Sequence, residues 1–371
     1  MKVLQVGKFY HPVSGGVESV TFDITEVLNK RNIQCDVLCT DDDNVTRTEK
    51  MNGYKVFRAG ANFKAFSTSI SFDYIRQLRK IVNDYDILHI HLPNPLANIA
   101  MLLAKLNGKK IVLHWHSDII KQKKLLLIYK PFEFWMLKRA DIIIGTTKIY
   151  IDESSTLAPF KDKCIDIPIG IQSNLLISNI SFVADIKGKF HGKKIIFSLG
   201  RLVYYKGFEY LISAANELSD EYVIIIGGNG PLKSKLEKQI VSLGLQDRVF
   251  LVGRIEEENL GSYFDACDLF CLPSIMKSEA FGVVQLEAMH FAKPIVATNI
   301  DGSGTGWVNE HGITGLNVAV KCPLLLAHAI KSVLSDPIQY QEYSKSARAR
   351  FEKLFKREVM VDRIIDVYKN L

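Results

Sequence analysis

Short apolar runs alternate along this chain with longer segments whose apolar positions recur every three or four residues. Residues 2 to 7, Val37 to Cys39, Tyr54 to Phe57, Asp86 to His91, Lys110 to His114 and Asp141 to Gly145 are short and rich in Val, Ile and Leu, which predicts buried strands. Between them, Val17 to Leu28, Ser71 to Asn83, Pro95 to Leu106 and Thr147 to Thr156 carry helical periodicity. Strands separated by helices predict a parallel sheet covered on both faces.

After Cys164 to Ile171 the periodicity fades into a stretch rich in Ser, Asn and Lys, and then it restarts. Strands are predicted at Lys194 to Leu199, Tyr222 to Ile226, Arg248 to Val252 and Ile295 to Thr298, with an apolar run at Leu269 to Ser274. Helices are predicted over Phe208 to Leu218, Asn259 to Cys267 and Pro323 to Leu334. The expectation is two doubly wound α/β domains at 1–172 and 193–350, a linker at 173–192, and a closing basic helix over 351–371. A length of 371 residues agrees, being more than one ordinary core holds.

Composition narrows the class. The opening apolar run is too short for a signal peptide, and no run approaches the roughly 18 residues of a spanning helix, so a soluble, cytoplasmic protein is expected. The six cysteines are scattered, with no Cys-x-x-Cys pair and no histidines at finger spacing, so they read as reduced core thiols. The net charge of +7 suits anionic ligands or an anionic membrane surface; nothing in the chain calls for nucleic acid.

Candidate chemistry gathers where strands end, because ligands of such sheets bind at the carboxyl ends of the strands. Between Ser278 and Ala288, Glu279 precedes an expected helix opening at Phe281-Gly282-Val283, and Glu287 lies about two turns further in. Free backbone N–H groups there make an anion site, with the carboxylates about 12 Å apart along the chain. That suits a diphosphate between two hydroxyl-rich rings; by itself, the spacing equally describes a solvated helix with two unrelated glutamates. Gly15-Gly16, before the first helix, is a phosphate loop or a turn, since the fingerprint Gly-x-Gly-x-x-Gly is absent. Arg201 and Lys206, in Gly200-Arg-Leu-Val-Tyr-Tyr-Lys-Gly207, read as a diphosphate clamp or as surface cations. Gly228-Asn-Gly230 resembles a nucleotide turn but has Lys233 where a third Gly belongs, and Arg254 follows the next strand.

Two decoys are set aside. Asp41-Asp42-Asp43 reads as a solvated loop rather than a metal motif, and no metal is expected. His114-Trp-His116-Ser117-Asp118 has triad-type residues but lacks a Gly-x-Ser-x-Gly elbow. The basic and aromatic segment 121–139 reads either as a helix packed in the domain or as one lying on anionic lipid.

Taken together, Ser278 to Ala288, the Gly-Arg-Leu-x-x-x-Lys-Gly loop and the histidine motif resemble retaining glycosyltransferases of family 4 over nearly the whole chain, in particular those building bacterial surface polysaccharides. The resemblance implies the GT-B fold, with two Rossmann-like domains facing across a cleft. It implies no cofactor, a UDP- or GDP-linked sugar as donor, and a glycan or lipid-linked saccharide as acceptor, at the inner face of the cell membrane. It places His116 beside the transferred sugar, Arg201 and Lys206 on the donor phosphates, Glu279 on the sugar and Glu287 on the ribose. Gly15, Gly16, Phe281, Gly282 and Val283 would meet the diphosphate, and Gly228, Gly230 and Arg254 the nucleoside. An epimerase or phosphorylase of the same fold, or a non-catalytic binding module, are the rival classes.

Overall fold

The computed structural model describes residues 1–13, 15–65, 68–118 and 123–371. Their contacts divide the chain into one unit of Met1–Gly170 with Arg357–Leu371, and a second of Ile171–Lys356.

In the first unit, ten strands are formed: β1 Lys2–Val6, β2 Gln34–Thr40, β3 Arg47–Met51, β4 Tyr54–Ala59, β5 Phe63–Ala65, β6 Thr68–Ile70, β7 Ile87–Leu92, β8 Lys110–Trp115, β9 Ile142–Gly145 and β10 Cys164–Asp166. Eight of them make one sheet in the order β10-β9-β8-β7-β1-β2-β4-β3. All pairs are parallel except β3–β4, an antiparallel hairpin. Its turn, Asn52-Gly53, has φ of 46° and 96°, the left-handed pair that a tight hairpin requires. This hairpin was not expected, because β3 alternates polar residues and reads as loop. The adjoining acidic loop is matched by Arg47, which pairs with Asp41 at 2.5 Å and Asp43 at 2.7 Å. Every residue of β7 is buried, as a central parallel strand must be, including two histidines.

The second unit carries β11 Lys194–Leu199, β12 Tyr222–Gly227, β13 Val249–Gly253, β14 Leu269–Leu272, β15 Ile295–Asn299 and β16 Gly315–Ala319, all parallel, in the order β13-β12-β11-β14-β15-β16. That order reverses direction between β11 and β14, and the crevice beyond their carboxyl ends is where a doubly wound sheet takes its ligand. The core beneath is aliphatic, with Ile196, Ile224, Leu269 and Val296 at or below 1% exposure.

Two boundaries differ from expectation. Residues 173–192 are structured: Asn179 caps the helix Ile180–Lys189 through its side chain, and the backbone N–H of Asn179 donates to Ser262 Oγ at 2.8 Å. The helix packs on Glu257–Ala266 within the second unit; its low apolar periodicity hid it. The closing segment is two helices, Pro337–Leu354 and Arg357–Lys369, and only the latter belongs to the first unit. There Arg357 pairs with Asp23 of the helix Gly16–Lys30 at 3.1 Å, both side chains nearly buried.

Residues 121 and 122 of the expected membrane-facing segment lie outside the described residues. The rest forms the helix Lys123–Arg139, which buries Met136 and Leu137 and exposes Phe132 and Phe134. No helix among the described residues is long and apolar enough to cross a membrane. Cys35, Cys39, Cys267 and Cys271 are buried free thiols, and Cys164 and Cys322 are free and partly buried.

Candidate active site

In the second unit, glycine geometry brings the loops after β11 and β14 together. Gly207 has φ +67°, and a Cβ on it would lie 2.0 Å from Pro273 O, so only glycine lets the Lys206 turn press against the exit of β14. The contact is sealed by the Ile275 N–H, which donates to Tyr205 O at 2.8 Å. Lys206 therefore reaches Glu279, with Nζ 2.6 Å from Oε2, and Ser274 Oγ donates to that same carboxylate oxygen at 2.9 Å. Lys206 and Glu279 side chains are each 12% exposed. Burial acts to lower the Lys206 pKa, but the charge and hydrogen bond of Glu279 outweigh it, and the net shift is upward.

Glu287 has no such partner. It is partly buried, its carboxylate makes no hydrogen bond among the described residues, and burial pushes it up to about 8 against the opposing pull of Lys206. A carboxyl raised by burial beside a paired lysine, at the end of a strand, makes this group the candidate site. Arg201 is exposed, and its guanidinium joins no ion pair among the described residues. The loop after β11 thus offers one free and one tethered cation, and the segment after β14 offers one carboxylate paired with Lys206 and one without a hydrogen bond among the described residues.

The expected helix mouth is displaced. The helix is Val284–His290, so Phe281, Gly282 and Val283 precede it, and Glu287 sits in its first turn rather than two turns in. The cause is Gly282, whose φ of +75° breaks helical geometry and whose Cβ position is crowded by Gln285 and Leu272. Phe281 is buried against Trp307 and Phe355, a core role. The segment 301–306 clamps this stretch: Ser303 Oγ donates to Glu279 O at 2.5 Å, and the Gly304 N–H donates to Ala280 O at 2.8 Å.

Gly228 and Gly230 are required by backbone contact. A Cβ on either would lie 1.9 Å from Gly200 O or 2.5 Å from Leu202 O, so the turn after β12 braces the Arg201 loop. Arg254 is 74% exposed and lies 3.8 Å from Glu256.

The first unit presents different material. Gly16 opens the helix Gly16–Lys30 and has open space where a Cβ would be. The first helical bond is donated by Ser19 to Gly15 O, which leaves the earlier N–H groups to other partners. A Cβ on Gly15 would meet Glu18 Oε2 at 2.2 Å, so the chain's own carboxylate lies over this entrance, with its pKa raised chiefly by burial.

His116 follows β8 and is 7% exposed. Its Nε2 lies 2.9 Å from His91 Nδ1, and His91 Nε2 lies 2.8 Å from Gln5 Oε1. His89 and His114 continue the group, Nε2 to Nδ1 at 3.2 Å, and Tyr368 of the last helix bonds His89 Nδ1. Burial holds His116 down to about 3 and His89, further opposed by His116, also to about 3, so the rings are neutral at pH 7. His89, His91 and His114 offer nitrogens within 4.8 Å of one another. Those of His89 and His91 lie within hydrogen-bond distance of neighbouring groups, whereas His114 Nε2 is buried without a partner among the described residues. Asp118 is held by Trp115 Nε1 at 2.9 Å and Ser154 Oγ at 2.8 Å, a structural role. His89, His91 and Gln5 escaped the reading of motifs; the signal was His-x-His in two strands, which at period two sets all four imidazoles on one face.

With this geometry established, the likenesses to known proteins become interpretable. Residues 180–350 match the model of glycosyl transferases group 1, and residues 14–174 match that of glycosyltransferase family 4. The chain is 30% identical over 372 residues to O-antigen chain mannosyltransferase C of Escherichia coli, covering 100% of this chain and 99% of the relative. It is 30% identical over 356 residues to D-rhamnosyltransferase WbpZ of Pseudomonas aeruginosa, covering 96% and 92%. Among solved structures, Anabaena HepE in complex with UDP superposes with a TM-score of 0.79 at 20% identity over the full length of both chains. Sucrose-phosphate synthase of Thermosynechococcus elongatus gives 0.79 at 21% identity, covering 100% and 99%.

Proposed function

We propose a reaction for this chain, which belongs to the glycosyltransferases of group 1 and family 4 and has their GT-B fold of two Rossmann-like α/β domains: it transfers a hexosyl group from a UDP- or GDP-linked sugar to a hydroxyl of a glycan or lipid-linked saccharide, with retention. The observation that carries this reading is the convergence of Arg201, Lys206, Glu279 and Glu287 at the reversal between β11 and β14. The likeness to an O-antigen mannosyltransferase and a rhamnosyltransferase supports bacterial surface polysaccharide as the product class. The UDP bound to HepE supports a nucleotide donor.

Chemically, the bond from the anomeric carbon to the diphosphate breaks while the acceptor oxygen bonds the same face. The acceptor proton passes to the departing phosphate oxygen. Arg201 and Lys206 stabilise the charge that grows on that phosphate, electrostatically and without a metal. On donor binding Lys206 turns from Glu279 to phosphate, which frees Glu279 for sugar hydroxyls. Glu287 binds the ribose, and a neutral His116 faces the transferred sugar.

We also place the enzyme at the inner face of the membrane. In the first unit Phe72, Ile75, Ile99 and Leu103 line a groove of about 770 Å³ rimmed by Arg76, Arg79 and Lys80, a pairing suited to anionic lipid. Flotation with vesicles of phosphatidylglycerol but not of phosphatidylcholine is expected.

The decisive experiment is thermal stability with UDP, GDP, UDP-glucose, GDP-mannose and NAD, each with and without a chelator. A ligand at a hundred times its dissociation constant adds about 2.7 kcal/mol, so modest affinity registers. A chelator-insensitive shift with one nucleotide and its sugar, followed by an axial product from an axial donor, supports the reading. A shift with NAD alone overturns it, and isomerisation of the donor without acceptor indicates an epimerase.

A further inference from the structure

The histidine group contains a relay that the reaction above does not use. Gln5 on β1 is in register with His89 on β7, and His91 on β7 with His114 on β8, so their side chains share one sheet face. Gln5 Oε1 is the atom directed at His91, and a carbonyl oxygen only accepts. With the Gln5 amide in this orientation, His91 carries its proton on Nε2, which leaves Nδ1 as a lone pair. His116 Nε2, 2.9 Å from that lone pair, must in turn carry the His116 proton. Stacking reinforces the arrangement: His91 and His116 rings lie at 15° and 5.2 Å, and His114 and His116 at 7° and 4.4 Å. One ring atom of His116 remains, Nδ1, which makes no hydrogen bond among the described residues.

We propose that His91, itself oriented by Gln5, is a positioning residue that holds His116 as the Nε2–H tautomer and so presents Nδ1 as an acceptor to a hydroxyl of the transferred sugar. The inference rests on the reading that His116 faces that sugar. The relay explains why a central buried strand tolerates histidine at position 91, where an aliphatic residue would pack at no polar cost. An imidazole whose tautomer is undetermined would offer the hydroxyl a donor or an acceptor by turns, and only one of them completes a given hydrogen-bond set.

The test uses the whole protein, ¹⁵N-labelled at histidine, with kinetics on whichever of UDP-glucose and GDP-mannose binds. In the wild type, His116 Nδ1 is expected at the chemical shift of an unprotonated nitrogen, identified by its loss in His116→Gln. His91→Phe keeps a ring but removes the acceptor; kcat should fall about tenfold or more, as for other residues that orient a functional histidine, with the donor KM within about twofold. His91→Asn, whose Oδ1 restores the acceptor near the place of Nδ1, should recover most of the loss. A protonated His116 Nδ1 in the wild type overturns the relay even if His91→Phe fails to fold. Unchanged kcat in His91→Phe while His116→Ala is impaired also overturns it. Full activity in His116→Ala sinks instead the reading of His116 on which the inference rests.

Discussion

The two units bury ionisable groups to similar depth with opposite outcomes. In the first, His116 at 7% exposure has the imidazole of His91 as its hydrogen-bond partner among the described residues, and burial leaves it neutral. In the second, Lys206 at 12% exposure stays charged because Glu279 stands 2.6 Å away. Glu287 shows the counterpart, since its nearest cation is committed elsewhere and its carboxyl rises to about 8. Depth alone does not decide charge at a strand end; the available partner does. The first unit accordingly carries neutral imidazoles at its strand ends, and the second carries a charged pair.

The sharpest way to test this contrast is acidity, because the two units should respond with opposite sign. His89 and His116 bind protons at about 6.5 when unfolded and at about 3 when folded, and His91 and His114 are likewise lowered well below 6.5. Between those values the unfolded chain binds more protons, so stability is lost as pH falls from about 6.5 towards 3. The slope is up to about 1.4 kcal/mol per pH unit for each histidine. Amide protection factors in β7 should fall across this range ahead of those in β12; equal loss in both would remove the histidines as the cause.

Next in size is Lys206→Ala, which should lower turnover about 10²- to 10³-fold, the usual loss when one group stabilising transition-state charge is removed. Wild-type turnover would end the phosphate assignment. Gly228→Ala should lower stability by more than about 2 kcal/mol, since φ is +128° and the methyl meets Gly200 O. Gly16→Ala, with open space, should melt as the wild type does. Lost donor affinity in Gly16→Ala would then report on the ligand rather than on folding.

Glu287→Gln probes the opposite slope. The folded state keeps the proton of Glu287 up to about 8, whereas the unfolded chain releases it near 4.5, so wild-type stability falls as pH rises through that window. The loss is at most about 1.4 kcal/mol per pH unit. The variant should flatten the decline in melts from pH 5 to 8, and an unaltered decline would place its cause elsewhere. Smallest of all, Arg254→Ala should change stability by under about 0.5 kcal/mol and leave nucleotide affinity unchanged, because the side chain is exposed and its pair loose. A large affinity loss would return it to the site.

How far the sequence reaches is clearest at individual residues. The Gly-Arg-Leu loop with Lys206-Gly207 was legible as a cation-bearing strand end, because strand, loop and helix follow one another locally. The helix start at Val284 was not, since Gly282 reads as ordinary until its left-handed φ is known. Helix Ile180–Lys189 was hidden because its stability comes from packing on a segment some eighty residues away. The β3–β4 hairpin carried a local sign, Asn52-Gly53, that polar alternation obscured.

The chain's apolar periodicity alone determined an α/β architecture in two parts, because a strand or helix must bury its apolar side and the period states which element it is. Residue chemistry at strand ends likewise singled out two cations and two glutamates. Tertiary structure decided their states. Whether Lys206 keeps its charge, whether Glu287 keeps its proton, and which nitrogen of His116 carries hydrogen depend on partners remote in sequence: Glu279 for Lys206, and His91 with Gln5 for His116. Folding sets those distances, and electrostatic and hydrogen-bond energies depend steeply on them.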